Sequence, residues 1–207
     1  MQVDLLRKLE EEEPRARLHT LAFMSFNASI GWVLEAGSVA TFTEMLDKRL
    51  PHLSRVASQE DFDEFHHEFL QEFMSTVKRA KDRQPLVYGQ AQKPLNVFLK
   101  VFVHWASLRS QEVAEKIRPL LHVPLDSILM QQVKDLFREE CDEIVRPAYG
   151  LRAPSTQLRL VNPDTYLAWQ RCFRAICPDM PVLLDVLWFR GRSGGRASRK
   201  KSTGGGS

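Results

Sequence analysis

Long apolar runs are missing from this sequence. None approaches the roughly 18 to 20 residues needed to cross a bilayer, and the opening "MQVDLLRKLEEEEPRAR" is charged and amphipathic, without the apolar centre of a signal peptide. The expectation is a cytoplasmic chain with no membrane contact. Cysteine is scarce too: Cys141, Cys172 and Cys177 are the only three, with no CxxC pair and no Cys/His zinc spacing. A disulfide framework and a zinc module are both excluded on that pattern, and buried reduced thiols are expected. Walker A spacing is absent, as is a Gly-rich hairpin of the LPGVG type, and the GxSxG spacing occurs only as Gly191–Gly195 within the Gly/Ser/Arg/Lys tail, with no apolar strand before it and no helical pattern after it. The sequence therefore offers no P-loop, nucleophile elbow or glycosylase hairpin. No repeat appears at any period.

Acid is missing from one end. From residue 190 onward stand Arg190, Arg192, Arg196, Arg199, Lys200 and Lys201 with no Asp or Glu, so the net charge of +3 hides a body, 1–189, with 23 basic against 26 acidic residues. Residues 190–207, "RGRSGGRASRKKSTGGGS", are Gly, Ser, Arg and Lys apart from Ala197 and Thr203, with no large apolar side chain. Such a segment cannot offset the entropy of ordering and is expected to be disordered. It would touch nucleic acid loosely, or serve as a solubilising end whose final "GGGS" reads as a linker.

What is present is helical periodicity. Leu18, Leu21, Phe26, Ile30, Val33 and Leu34 recur at largely helical spacing, and Phe62, Phe65, Phe69, Phe73 and Val77 form a clear stripe behind a start at Ser58 and Asp61. Pro14 predicts a break between an opening helix over 2–13 and a second helix, with Gly37 as a stop. Thr41 with Glu44 predicts a capping box for a short helix ending at Pro51. Pro94 is expected near the start of a long apolar helix, and Ser110 to cap another. A further helix is predicted from about Leu125 to Val145, with Ile128, Leu129, Val133, Leu136 and Phe137 inward. Asn162 or Asp164 is expected to cap a helix carrying Tyr166, Trp169, Phe173 and Ile176. "TQLRLV" is too brief for a firm strand. With no run of strands, the predicted fold is all-α: a single multi-helix domain over 1–189, an orthogonal array or bundle, followed by the basic tail.

The long helix poses the sharpest question. In "YGQAQKPLNVFLKVFVHWAS", Lys93, Asn96, Lys100 and His104 step by three, four and four residues and draw one polar line. Its apolar remainder, Trp105 included, is expected inside. The line is either the wet strip of a nearly buried helix or a basic rim that meets phosphate with Gln90. "HVPLDS" sets His122 and Asp126 about a proline turn, where Asp126 fits a helix cap or, beside Lys93, part of a catalytic trio. Asp185, in "LLDVLWF", is either the solvent side of a short helix or buried against Lys93 or Lys100. Glu64-x-x-His67 has the spacing of carboxylate-bridged di-iron bundles, but no second such motif exists. Its acids and histidines are expected to face water, with neither metal nor cofactor.

"YGQAQKPLNVFLKVFVHW", "HVPLDSIL", "YLAWQRCF" and "PVLLDVLWF" together resemble a pattern of helical bacterial proteins to which no activity attaches. The resemblance implies a bacterial cytosolic protein and points to Gln90, Lys93, Asn96, Asp126 and Asp185. Three functions are carried forward. The first is association with DNA or RNA through Lys93, Lys100 and the tail. The second is a non-catalytic helical module docking a protein partner. The third is a nucleic-acid-processing enzyme using Lys93, His122 and Asp126 or Asp185.

Overall fold

Among residues 2–105 and 110–188, which the computed structural model describes, helix follows helix. They are α1 (Gln2–Asn27), α2 (Ser38–Arg49), α3 (Gln59–Thr76), α4 (Tyr88–Leu99), α5 (Gln111–Ile117), α6 (Ser127–Leu136), α7 (Arg138–Glu140) and α8 (Pro163–Ile176). Short 3₁₀ turns join several of them, and π-helical turns continue α4 over Lys100–Trp105 and α7 over Cys141–Val145. Isolated bridges at Leu34–Arg79 and Lys78–Pro85 are the only extended pairing among the described residues. The chain is all-α, as its periodicity predicts. Residues 190–207, expected to be disordered, lie outside the described residues. No described helix is long and apolar enough to cross a membrane.

Contacts group the chain into two compact units, Met1–Leu86 with Gln90–Leu120 and Val87–Gly89 with Leu121–Ser207. In the first, α3 starts where its sequence says. The Ser58 hydroxyl accepts from the Asp61 N–H, and the Asp61 carboxylate accepts from the Ser58 N–H at 3.0 Å. Phe62, Phe65, Phe69, Phe73 and Val77 are all buried. Phe42 of α2 packs among Phe26, Phe69, Phe73 and Phe98, its nearest ring centroid 4.8 Å away. Each such ring pair adds about 0.5–1.5 kcal/mol beyond burial. At the surface Arg49 of α2 reaches Glu68 and Glu72 of α3, both at 2.7 Å. The bond to Glu72 above all holds its guanidinium pKa higher than usual.

Three boundaries in this unit differ from expectation. Pro14 does not break α1, which runs through it. The residues from Glu10 to Arg17 are exposed, so water can solvate the Glu10 carbonyl that proline leaves without its helical donor. Gly37, expected as a stop, is the N-cap of α2 with φ 88°, a left-handed turn that suits glycine. Thr41 consequently lies inside α2, where its hydroxyl donates back to the Gly37 carbonyl. Pro94 sits in the middle of α4, because that helix already begins at Tyr88.

The reason for that early start is packing within the second unit. The Gly89 N–H donates to the Val161 carbonyl at 3.2 Å, and the Tyr88 ring meets the edge of Tyr166 at 5.2 Å. A Cβ on Gly89 would stand 2.2 Å from the Leu158 carbonyl oxygen, so only glycine fits there. In α6, Asp126 caps the first turn by accepting from the Ile128 N–H at 2.8 Å, and Leu129, Met130 and Val133 are buried. The single helix expected to reach Val145 is interrupted at Phe137, whose φ/ψ of −131°/55° ends α6. Leu136 accordingly leaves the inward face and is 57% exposed. In α8, Asn162 and Thr165 cap each other reciprocally. Tyr166, Trp169, Cys172 and Phe173 are fully buried. The residues of "TQLRLV" form a 3₁₀ turn at Leu158–Leu160, not a strand.

Candidate nucleic-acid interface

The polar line of α4 does not run along one surface. Lys93, Lys100 and His104 are half-buried, but Asn96 is 1% exposed. The Asn96 amide nitrogen donates to Gln92 Oε1 at 2.8 Å, and its Oδ1 lies 2.8 Å from His66 Nε2. With Oδ1 as acceptor, Nε2 of His66 must carry the proton. Gln92, Asn96 and His66 thus form a buried polar chain that satisfies groups whose burial would otherwise be costly. This corrects two expectations. Asn96 is structural and presents nothing to a phosphate, and His66 faces inward while His67 and Glu64 are exposed. His66 was legible: it lies four residues after Phe62 and three before Phe69, on the apolar stripe itself.

Past Leu99 the winding changes from α to π, and the periodicity that put Trp105 inside no longer holds. Trp105 is 66% exposed, and the Lys100 ammonium sits over its ring, 4.7 Å from the centroid. This is a cation–π contact. The His104 pKa is lowered, first by burial and then by the charges of Arg118 and Lys100. Two cations of the first unit therefore act on one imidazole beside an exposed indole. Sequence spacing ties Lys100 to His104 but gives no sign of Arg118, which arrives from the 3₁₀ turn after α5.

Gln90 and Lys93 are half-buried in the first turns of α4. The remaining candidates belong to the second unit. His122 is 2% exposed with Nδ1 2.9 Å from the Tyr166 hydroxyl. Next to it, Gln170 accepts from the Val123 N–H and donates to the Val123 carbonyl, both at 2.9 Å. Asp126 is the cap described above, and half-buried Asp185 closes a 3₁₀ turn, Pro181–Asp185. Arg190, Arg192, Arg196, Arg199, Lys200 and Lys201 lie outside the described residues. Among the described residues no group of three or more His, Cys, Asp or Glu could hold a metal ion. No family model, curated protein or solved structure matches the chain.

Proposed function

We propose that this protein binds nucleic acid, with Lys100, Arg118 and Trp105 as the centre of the contact. The observation that carries the reading is the Lys100 ammonium 4.7 Å from the ring centroid of Trp105, a tryptophan that is 66% exposed, with the charge of Arg118 also felt at neighbouring His104. Cations neutralise phosphates and release their counterions, while an indole offers a face on which an unpaired base stacks. Lys93 and Gln90 extend the same helix toward its N-terminus, and the six basic residues after position 189 add phosphate contacts. The reading places the protein in the cytoplasm, with DNA or RNA as its partner.

The test is a salt titration of binding to a single-stranded oligonucleotide and to a duplex of the same sequence. Affinity should fall steeply with salt, and Lys100→Ala should flatten the logarithmic slope by about 1. Trp105→Ala should weaken single-strand binding by about 1–3 kcal/mol and spare the duplex. Binding that neither salt nor these substitutions change would end the proposal.

A second reading is favoured by Leu183 and Val186, 47% and 57% exposed near the end of the described chain. There the protein docks a partner protein through apolar contact, and the complex persists in high salt. The enzymatic reading of Lys93, His122, Asp126 and Asp185 ranks below both. Asp126 is occupied as a helix cap, and one His122 nitrogen is engaged with Tyr166.

A further inference from the structure

Two of the three cysteines meet inside the second unit. Cys141 opens the π-helical turn Cys141–Val145, and Cys172 lies on α8, 31 residues away in sequence. Their sulfurs are 3.8 Å apart, and both thiols are free and buried. Cys177 stands apart, half-buried, with its thiol donating to the Met180 carbonyl at 3.3 Å. A disulfide needs its sulfurs at about 2.05 Å. The Cys141–Cys172 pair must therefore close by roughly 1.8 Å, a movement within reach of small χ1 rotations and a slight shift of the turn. The turn is suited to that shift, since π-helical winding is a local departure from the α-helix rather than its relaxed form.

The two sulfurs also differ chemically. The hydrogen bond between the two thiols, in which either sulfur can be the donor, is the largest influence on Cys141 and lowers its pKa; Lys134 adds to the lowering while burial and Glu140 oppose it. The Cys172 pKa is pushed up by the same bond and by burial. With the sulfurs side by side, whichever is oxidised first has its resolving partner within a small movement.

We propose that Cys141 and Cys172 are a reversible oxidation site, joined as a disulfide by hydroperoxides and reopened by thiols. In the first step the Cys141 thiolate attacks one peroxide oxygen and the O–O bond breaks. That oxygen stays on sulfur as a sulfenic acid, and the other leaves as water after taking a proton. In the second step the Cys172 sulfur attacks the sulfenic sulfur. The S–S bond forms, and the hydroxyl departs as water with the Cys172 proton. The two thiols lose two electrons and two hydrogens, and one hydrogen peroxide becomes two waters. Both thiols are buried, so the reaction requires local opening around the Cys141–Val145 turn, and hydrogen peroxide, close to water in size, is the oxidant such an opening would admit most readily. The link would fasten this turn to α8 until a dithiol reduces it.

The experiment uses the full chain carrying Cys177→Ser, which leaves the proposed pair untouched. It is treated with hydrogen peroxide, unfolded in the presence of an alkylating reagent and digested with trypsin. Cleavage after Arg138, Arg171 and Arg174 puts Cys141 and Cys172 on separate peptides. The expected product is those two peptides joined, two hydrogens lighter than their sum and separated by dithiothreitol. In a chain carrying Cys172→Ser together with Cys177→Ser the first step has no resolving thiol, and dimedone should label Cys141. The proposal is overturned if peroxide-treated Cys177→Ser yields both cysteines alkylated. It is equally overturned if each is converted separately to sulfinic acid with no joined peptide. Because the first chain keeps both residues, its result decides the matter even if Cys172→Ser does not fold.

Discussion

Rings pack the first unit, whereas in the second unit side chains take hold of irregular backbone. Phe42 has four phenylalanines around it, all reached by stacking three long helices and α4 through their apolar faces. The second unit has ring contacts too, at Tyr88–Tyr166 and Trp169–Phe173. Its distinctive bonds, however, run from side chain to main chain. Gln170 grips both polar groups of Val123, and Lys134 donates to the Pro154 carbonyl at 2.7 Å. Apolar burial is non-directional and degrades in proportion to the volume removed. A polar clamp is directional, and its loss leaves buried groups with nothing to replace water. The first unit should therefore fail gradually with side-chain size around Phe42, and the second sharply with the loss of the Gln170 amide.

The largest effect is expected at the centre of the rings. Phe42→Ala should cost about 3–5 kcal/mol in urea unfolding, and Phe42→Leu clearly less, because leucine fills much of the space. Hydrogen exchange should quicken in α2 and α3. Equal losses for alanine and leucine would mean that ring geometry, not volume, holds this unit together.

Next comes Gln170→Met, which keeps the length of the side chain and removes its polar atoms. Val123 is fully buried, so its N–H and carbonyl would both lose their partner, at about 2–4 kcal/mol together. Exchange should quicken at residues 121–126. A loss below about 1 kcal/mol would show that water or neighbouring groups replace the clamp and would erase the contrast between the units.

The same contrast explains what could be read in the sequence. The Phe62 to Val77 stripe, the caps at Ser58, Ser110, Asp126 and Asn162, and the helical class all depend on neighbours a few residues away. They were legible for that reason. The break at Phe137 and the π turn at Lys100–Trp105 leave no mark in the residue spacing, and the charge of Arg118 that acts on His104 comes from a different element. No local pattern encodes them. Asn96 failed in the opposite direction: its place on a polar line was correct, yet its amide is satisfied by His66 from α3 and sits inside. Polarity along a helix face marks a wet edge only where no buried partner answers it. The glycine of the "GQAQK" run was visible as a residue, but its close approach to the Leu158 carbonyl was not.

The smallest effect tests the most local feature. The Asp61 carboxylate accepts from the Ala57 and Ser58 N–H groups at 2.8 and 3.0 Å. Those bonds lower its pKa below the ordinary value of 3.8, with the Ala57 bond the largest cause. The folded state therefore binds this proton less readily than the unfolded chain. The stabilisation is present above 3.8 and is lost as pH falls through the depressed folded-state value. Asp61→Asn should be less stable than the parent at about pH 7, with the gap closing as both approach about pH 2. Urea midpoints across that range measure it. Since Asp61 is exposed and acts only on the first turn of α3, the gap should stay well below that of Gln170→Met. A gap that persists unchanged into acid would assign the cap's value to the geometry of its acceptor instead of its charge.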